Sequence, residues 1–155
     1  MDQEQRDRVL HFVERIGLYM EEAGLPRMAG RVLGWLLISD PPVQSSAQLV
    51  DALDASKGSI STNTRLLMGT GLIERVAMPG ERGAYFRVRQ SAWSQLLERK
   101  VTQIRHFREL CDEGLGLELG AVSRSNLRQV RDFYAFMEEE MPAMLEHWRQ
   151  RNSEG

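Results

Sequence analysis

The stretch 45–88 constrains this chain more than any other, because its local signals leave few alternatives. Residues 45–53, SSAQLVDAL, place Ala47, Leu49, Val50 and Leu53 at the i, i+3, i+4 spacing of a one-sided helix, with Ser45 or Ser46 as its N-cap. Asp54, Ala55 and Ser56 are turn and cap formers. The Ser56 hydroxyl can accept from the free N–H groups that open a helix, so a second helix is expected to start at Lys57. It runs KGSISTNTRLLMGT and stops at Gly71, a residue suited to the left-handed position beyond a helix C-terminus. Ile60, Thr64 and Leu67 face inward on it, which leaves Lys57, Gly58, Ser59, Ser61, Thr62 and Arg65 outside.

Two strands should follow. Residues 72–78 (LIERVAM) are a strand candidate, 79–83 (PGERG) are dense in turn formers, and 84–88 (AYFRV) alternate, with Phe86 and Val88 inward and Tyr85 and Arg87 outward. Two short helices and a tight hairpin make a winged helix-turn-helix. The outer face of the second helix suits a DNA major groove. It has little bulk, hydroxyls that reach phosphate or base edges, two cations and no carboxylate, and the positive end of the helix dipole adds attraction for phosphate. Arg82, at the hairpin tip, can reach the backbone or the minor groove. The DNA-contacting set is therefore Ser56, Lys57, Gly58, Ser59, Ser61, Thr62, Arg65 and Arg82. The same Ser/Thr face could instead dock a protein, which makes a protein-interaction module without specific DNA binding the alternative.

In GLPRMAGRVLGWLL (24–37), LDASKGSISTNTRLL (53–67), GLIERV (71–76) and PGER (79–82), the chain resembles the MarR family of transcriptional regulators, and within it the GbsR-like subgroup. The likeness runs by motif from about Phe12 to Val88 and by helix pattern beyond. It implies a homodimeric DNA-binding regulator, commonly a repressor, whose dimer interface is built by helices from both chain ends. The sequence departs from the family pattern at the wing, where Glu81-Arg82-Gly83 replaces the usual Asp-plus-arginines run.

The flanks read as helices. Residues 3–23 carry Val9, Phe12, Val13, Ile16, Tyr19, Met20 and Ala23 on one broad apolar stripe. Gly24 ends that helix, Pro26 suits the first turn of the next, and residues 27–38 place Gly30 and Gly34 one turn apart, allowing a close helix approach. The Asp40-Pro41-Pro42 break closes this element. After the hairpin, Ser91 can cap a helix to about Cys111. A glycine-bearing connector follows over 112–122, and Ser123 or Ser125 caps a last helix to about Arg149, with Pro142 inside it. The expected fold is mainly α with a small β-hairpin wing. Its segments are 1–23, an N-terminal dimerisation helix; 24–90, the winged helix-turn-helix; and 91–155, a C-terminal helical dimerisation region. Three long amphipathic helices offer more apolar surface than one small core can bury, so a homodimer is expected.

Net charge, −2 over 155 residues, argues at first against a nucleic-acid partner, but its distribution argues the other way. From Lys57 to Arg89 six cations face only Glu74 and Glu81, an excess of four positive charges that leaves a net of six negative charges to the remainder. So modest an excess ties affinity to two copies binding together. No apolar run approaches a membrane span. The start of the chain, MDQEQRDRVLHF, lacks a signal-peptide core, and with the lone Cys111 this points to the cytoplasm.

His11, His106 and His147 lie in no metal-ligand spacing, and phosphate loops, serine elbows and paired-carboxylate motifs are missing. No enzyme, metal or cofactor is expected. Cys111, beside Asp112 and Glu113 near a helix C-terminus, is in surroundings that disfavour a thiolate and reads as a small buried side chain rather than a redox sensor. Tyr19, Trp35, Trp93 and Phe107 are candidates to line an effector pocket. GbsR-like relatives include regulators that respond to choline or glycine betaine, so the resemblance implies a cation cage, with Glu22 as its carboxylate. Aromatic residues at helical spacing are more often core.

Overall fold

The structure is a computed structural model that describes residues 2–153. The outermost ends of the expected segments, Met1, Glu154 and Gly155, lie outside the described residues. The described residues form six helices and one small three-stranded antiparallel sheet. They divide into two compact units, one up to Ala92 and one from Trp93.

The first unit opens with α1 (Gln3–Glu22), capped by the Asp2 carboxylate, which accepts from Gln5 N at 2.8 Å. It packs along α2 (Arg27–Ile38) through small residues: Gly17, Gly30 and Gly34 lie where the two backbones nearly touch. A Cβ at Gly30 would sit 2.7 Å from Gly17 Cα and 2.8 Å from Met20 Cβ. Glu14 bridges the two helices, taking both Arg27 and Arg31, the latter at 3.1 Å. The Arg31 guanidinium also donates to Leu53 O at 3.0 Å and so ties α2 to the end of α3 (Ser46–Leu53).

Local signals decided the motif helices. Ser45 caps α3 in a full capping box with Gln48, and Ser56 caps α4 (Lys57–Thr70) by accepting from Ser59 N at 3.1 Å. Gly71 ends α4 in the left-handed region at φ 78°. Asp54 takes the same region at φ 48°, which makes the bend between α3 and α4. Leu33, Leu49, Leu53, Ile60, Leu67, Leu72 and Ile73 form the fully buried centre of this unit.

The hairpin strands are shorter than the sequence predicts. β2 is Ile73–Val76 and β3 is Tyr85–Val88. Leu72 is buried but belongs to the turn, its N–H donating to Leu67 O, while Ala77 and Met78 leave the ladder at the exposed turn. The strand that sequence reasoning missed, β1 (Gln44–Ser45), is two residues long and too short for any alternation to show. It pairs with β3, giving the order β1-β3-β2 with Ser45 opposite Tyr85 and Val76 on that residue's other side. Buried Gln44 is held by Trp35 Nε1, which donates to its Oε1 at 3.3 Å, and by its own donation to Pro41 O at 2.8 Å.

The second unit is a helical hairpin of α5, which starts at Ala92 and ends at Leu115, and α6 (Ala121–Ser153). Val101, Ile104 and Met141 are its core, with Leu97, Tyr134 and Met137 packed around them. The expected connector over 112–122 shrinks to a few residues. Gly114 lies inside α5, where a Cβ would meet Leu127 Cδ2 at 2.8 Å, so that glycine is a helix contact rather than a loosening. The last carbonyls are capped from the next helix: Arg124 donates to Leu115 O at 2.8 Å and to Leu117 O at 3.0 Å. Cys111 is buried. Glu138 accepts from Arg105 at 3.0 Å and Arg108 at 2.5 Å, and these guanidinium bonds, the Arg108 bond first, hold its carboxyl below the ordinary carboxylate range.

Candidate nucleic-acid interface

Helix α4 presents the expected face. Lys57, Gly58, Ser61, Thr62 and Arg65 are exposed and Ser59 is half-buried, while Ile60, Asn63, Thr64 and Leu67 point inward. Ser56 spends one oxygen lone pair on the cap, and its hydroxyl hydrogen stays available as a donor. The buried polar groups are satisfied along the helix: Asn63 donates to Ser59 O and Thr64 to Ile60 O, each at 2.8 Å. Ser59 Oγ also accepts a long bond from Asn63 Nδ2 at 3.5 Å, so the Ser61 and Thr62 hydroxyls are the ones the fold leaves to the outer face.

Beside this face runs a groove of about 570 Å³ between α4 and the hairpin. Lys57, Ser61 and Arg65 line it from the helix, and Arg75, Glu81 and Tyr85 from the hairpin, over a floor that includes Val50, Met68 and Phe86. Arg82 is exposed on the turn that follows Gly80 and does not line the groove.

The cations divide into two sets. Glu74 takes Arg87, its direct cross-strand partner, at 2.7 Å and Arg89 at 3.9 Å. Among the described residues, Lys57, Arg65, Arg75 and Arg82 take part in no ion pair. Arg75, Glu81 and Tyr85 were not among the DNA-contacting residues expected from sequence. The signal for Arg75 was present: strand alternation puts it on the face of buried Ile73, and a cation at such a position means that the face runs out of the core and opens on a cleft. The Tyr85 phenol has its pKa raised by partial desolvation, with the charge of Glu81 and a hydrogen bond to that carboxylate adding to it.

The four aromatic candidates for an effector pocket fall two to each unit. Tyr19 is 67% exposed on α1. Trp35 is half-buried and lines a separate hollow of about 390 Å³ with Arg6, Leu10, Gln48 and Asp51, which Tyr19 does not line. Trp93 and Phe107 are exposed on α5, Phe107 packing edge-on against Tyr134 with ring centroids 4.7 Å apart. Among the described residues no group of three or more His, Cys, Asp or Glu side chains could hold a metal ion, and no helix is long and apolar enough to cross a membrane.

Comparison with known proteins fits this geometry. Residues 23–82 match the MarR family model, and residues 91–151 match the model of the MmpR5-like MarR family transcriptional regulator. The chain is 43% identical over 148 residues to the HTH-type transcriptional regulator MmpR5 of Mycobacterium tuberculosis, an alignment covering 94% of this chain and 90% of that one. It is 30% identical over 87 residues to the putative HTH-type transcriptional regulator YvaV of Bacillus subtilis, covering 56% and 49%. A crystal structure of a transcriptional regulator, 40% identical, superposes with a TM-score of 0.79 over 92% of this chain and 99% of that one. The chain belongs to the MarR family of transcriptional regulators.

Proposed function

We propose that the protein is a sequence-specific double-stranded DNA-binding repressor that acts as a homodimer on an inverted repeat. Each α4 enters the major groove of one half-site, the half-sites lie about one DNA turn apart, and each hairpin follows the adjoining backbone. The observation that carries this reading is the division of the cations. Glu74 holds Arg87 and Arg89 away from the groove, while Lys57, Arg65 and Arg75, which line it, and Arg82 on the hairpin turn take part in no ion pair among the described residues, beside a helix face without carboxylates.

Homodimerisation through residues 1–23 and 91–155 is supported by the apolar side chains that α1 and α6 leave exposed, among them Phe12, Leu18, Phe133, Phe136 and Trp148. A small-molecule effector, cytoplasmic location and the GbsR-like affinity belong to the same proposal. The last rests on the motifs at 24–37 and 53–67, alongside an MmpR5-like family match.

The test is fluorescence anisotropy against the DNA flanking the protein's own gene, at two salt concentrations. Tight, salt-sensitive binding at two subunits per site is expected. Arg65→Ala, Arg75→Ala and Arg82→Ala should each weaken it by roughly tenfold and flatten the salt dependence. Affinity unchanged in all three, or no better than for random duplex, would favour the protein-interaction module.

A further inference from the structure

Among the described residues, Glu81 is the one carboxylate that lines the groove between α4 and the hairpin, facing Lys57, Arg65 and Arg75. A phosphate-binding cleft gains nothing from an acid at its wall. Tyr85 lines the same groove, its phenol close enough to Glu81 to feel that carboxylate. Tyr85 begins β3, the central strand, and is paired on one side with Ser45 and on the other with Val76. A phenol carried by a paired strand thus stands beside the carboxylate of a turn residue, where it can orient it. The phenol is protonated at neutral pH and can donate.

A carboxylate so held can do two things at a DNA surface. It repels phosphate, which penalises every backbone-dominated complex, and it can only accept hydrogen bonds, so the base edge that offsets the penalty must present a donor. That donor is an exocyclic amine: cytosine N4 or adenine N6 at the major-groove edge, guanine N2 at the minor-groove edge.

We propose that Glu81, positioned by Tyr85, is a specificity-determining residue: it disfavours phosphate in the groove and accepts a hydrogen bond from an exocyclic base amine in the operator. The inference rests on the DNA-binding reading above and deepens it. Glu81 lowers affinity for arbitrary sequence more than for the operator, so that selectivity comes from a repulsive element as well as attractive ones.

The test compares wild type, Glu81→Gln, Glu81→Ala, Tyr85→Phe and the Tyr85→Phe Glu81→Gln double variant. Each is titrated by anisotropy against a duplex selected by the wild-type protein from a random pool and against a scrambled duplex, over a series of salt concentrations. Glu81 is exposed, so its variants should melt at the wild-type temperature. The expected result is that Glu81→Gln and Glu81→Ala bind scrambled DNA roughly threefold to tenfold more tightly, with a salt slope steeper by up to about 2 per dimer. They should bind the selected duplex no better than wild type.

Tyr85→Phe should give part of that loss of selectivity alone and nothing further in the Glu81→Gln background. Equal tightening on both duplexes would mean a bulk charge effect and overturn the inference, as would unchanged binding to scrambled DNA or additive effects of the two substitutions. If wild type selects no duplex and shows no salt dependence, the DNA-binding reading itself fails. If wild type selects and the variants select equally well, only the role of Glu81 fails.

Discussion

Gly58 shows how finely the proposed DNA face is cut. It sits in the first turn of α4, exposed, and a Cβ built on it meets only Ser56 Oγ, at 4.0 Å. Nothing in the fold asks for glycine there, and alanine would favour the helix by about 0.5–1 kcal/mol. Gly58→Ala should therefore leave the melting temperature unchanged or raise it while weakening operator binding. Thermal denaturation beside anisotropy checks this, and undiminished affinity would place the first turn of α4 away from the DNA. At this scale the sequence was legible wherever the cause was local. The Ser45 and Ser56 caps and the Gly71 stop each depend on residues within one turn. Arg75 and Tyr85 escaped because their meaning depends on which elements face them across a groove, and no local spacing encodes that.

Among elements, the contact between α1 and α2 has the least tolerance. Its glycines allow backbone-to-backbone packing, and a methyl at Gly30 would fall within 2.8 Å of both Gly17 Cα and Met20 Cβ. Gly30→Ala should destabilise the protein by about 1–3 kcal/mol, since overpacking forces two helices apart. Gly69→Ala is its control: it lies in α4 with nothing within 4 Å of the new methyl and should be neutral or stabilising. Chemical denaturation with both variants decides it, and equal stability would show that the helices slide apart at little cost. The close approach was readable from the spacing of Gly30 and Gly34. The reach of α5 to Leu115 was not, because glycine usually weakens a helix and only the Leu127 side chain lying against Gly114 explains its place inside one.

For the whole molecule, the exposed aromatic residues of α6 support the proposed homodimer. Phe133 and Phe136 are each more than half exposed, at 59% and 57%, as is Trp148. A Phe133→Glu Phe136→Glu variant should sediment as a monomer where wild type sediments as a dimer, and should lose operator binding while keeping its helical signal. Dimeric sedimentation of the variant would move the interface elsewhere. The amphipathic stripes made the existence of these helices legible, whereas the identity of an effector was not, because aromatic residues at helical spacing read alike in a core, an interface or a ligand cage.

The clasp of Glu74 on Arg87 and Arg89 has a consequence for how such a regulator finds its target. With two of the six cations of this region held by one carboxylate that cancels one of their charges, each subunit of the proposed regulator would grip arbitrary chromosome weakly at cellular salt, and one-dimensional sliding would be brief. On the proposed function, the search then proceeds mostly by dissociation and recapture, and occupancy of the operator follows the free concentration of the dimer with little buffering by the rest of the genome.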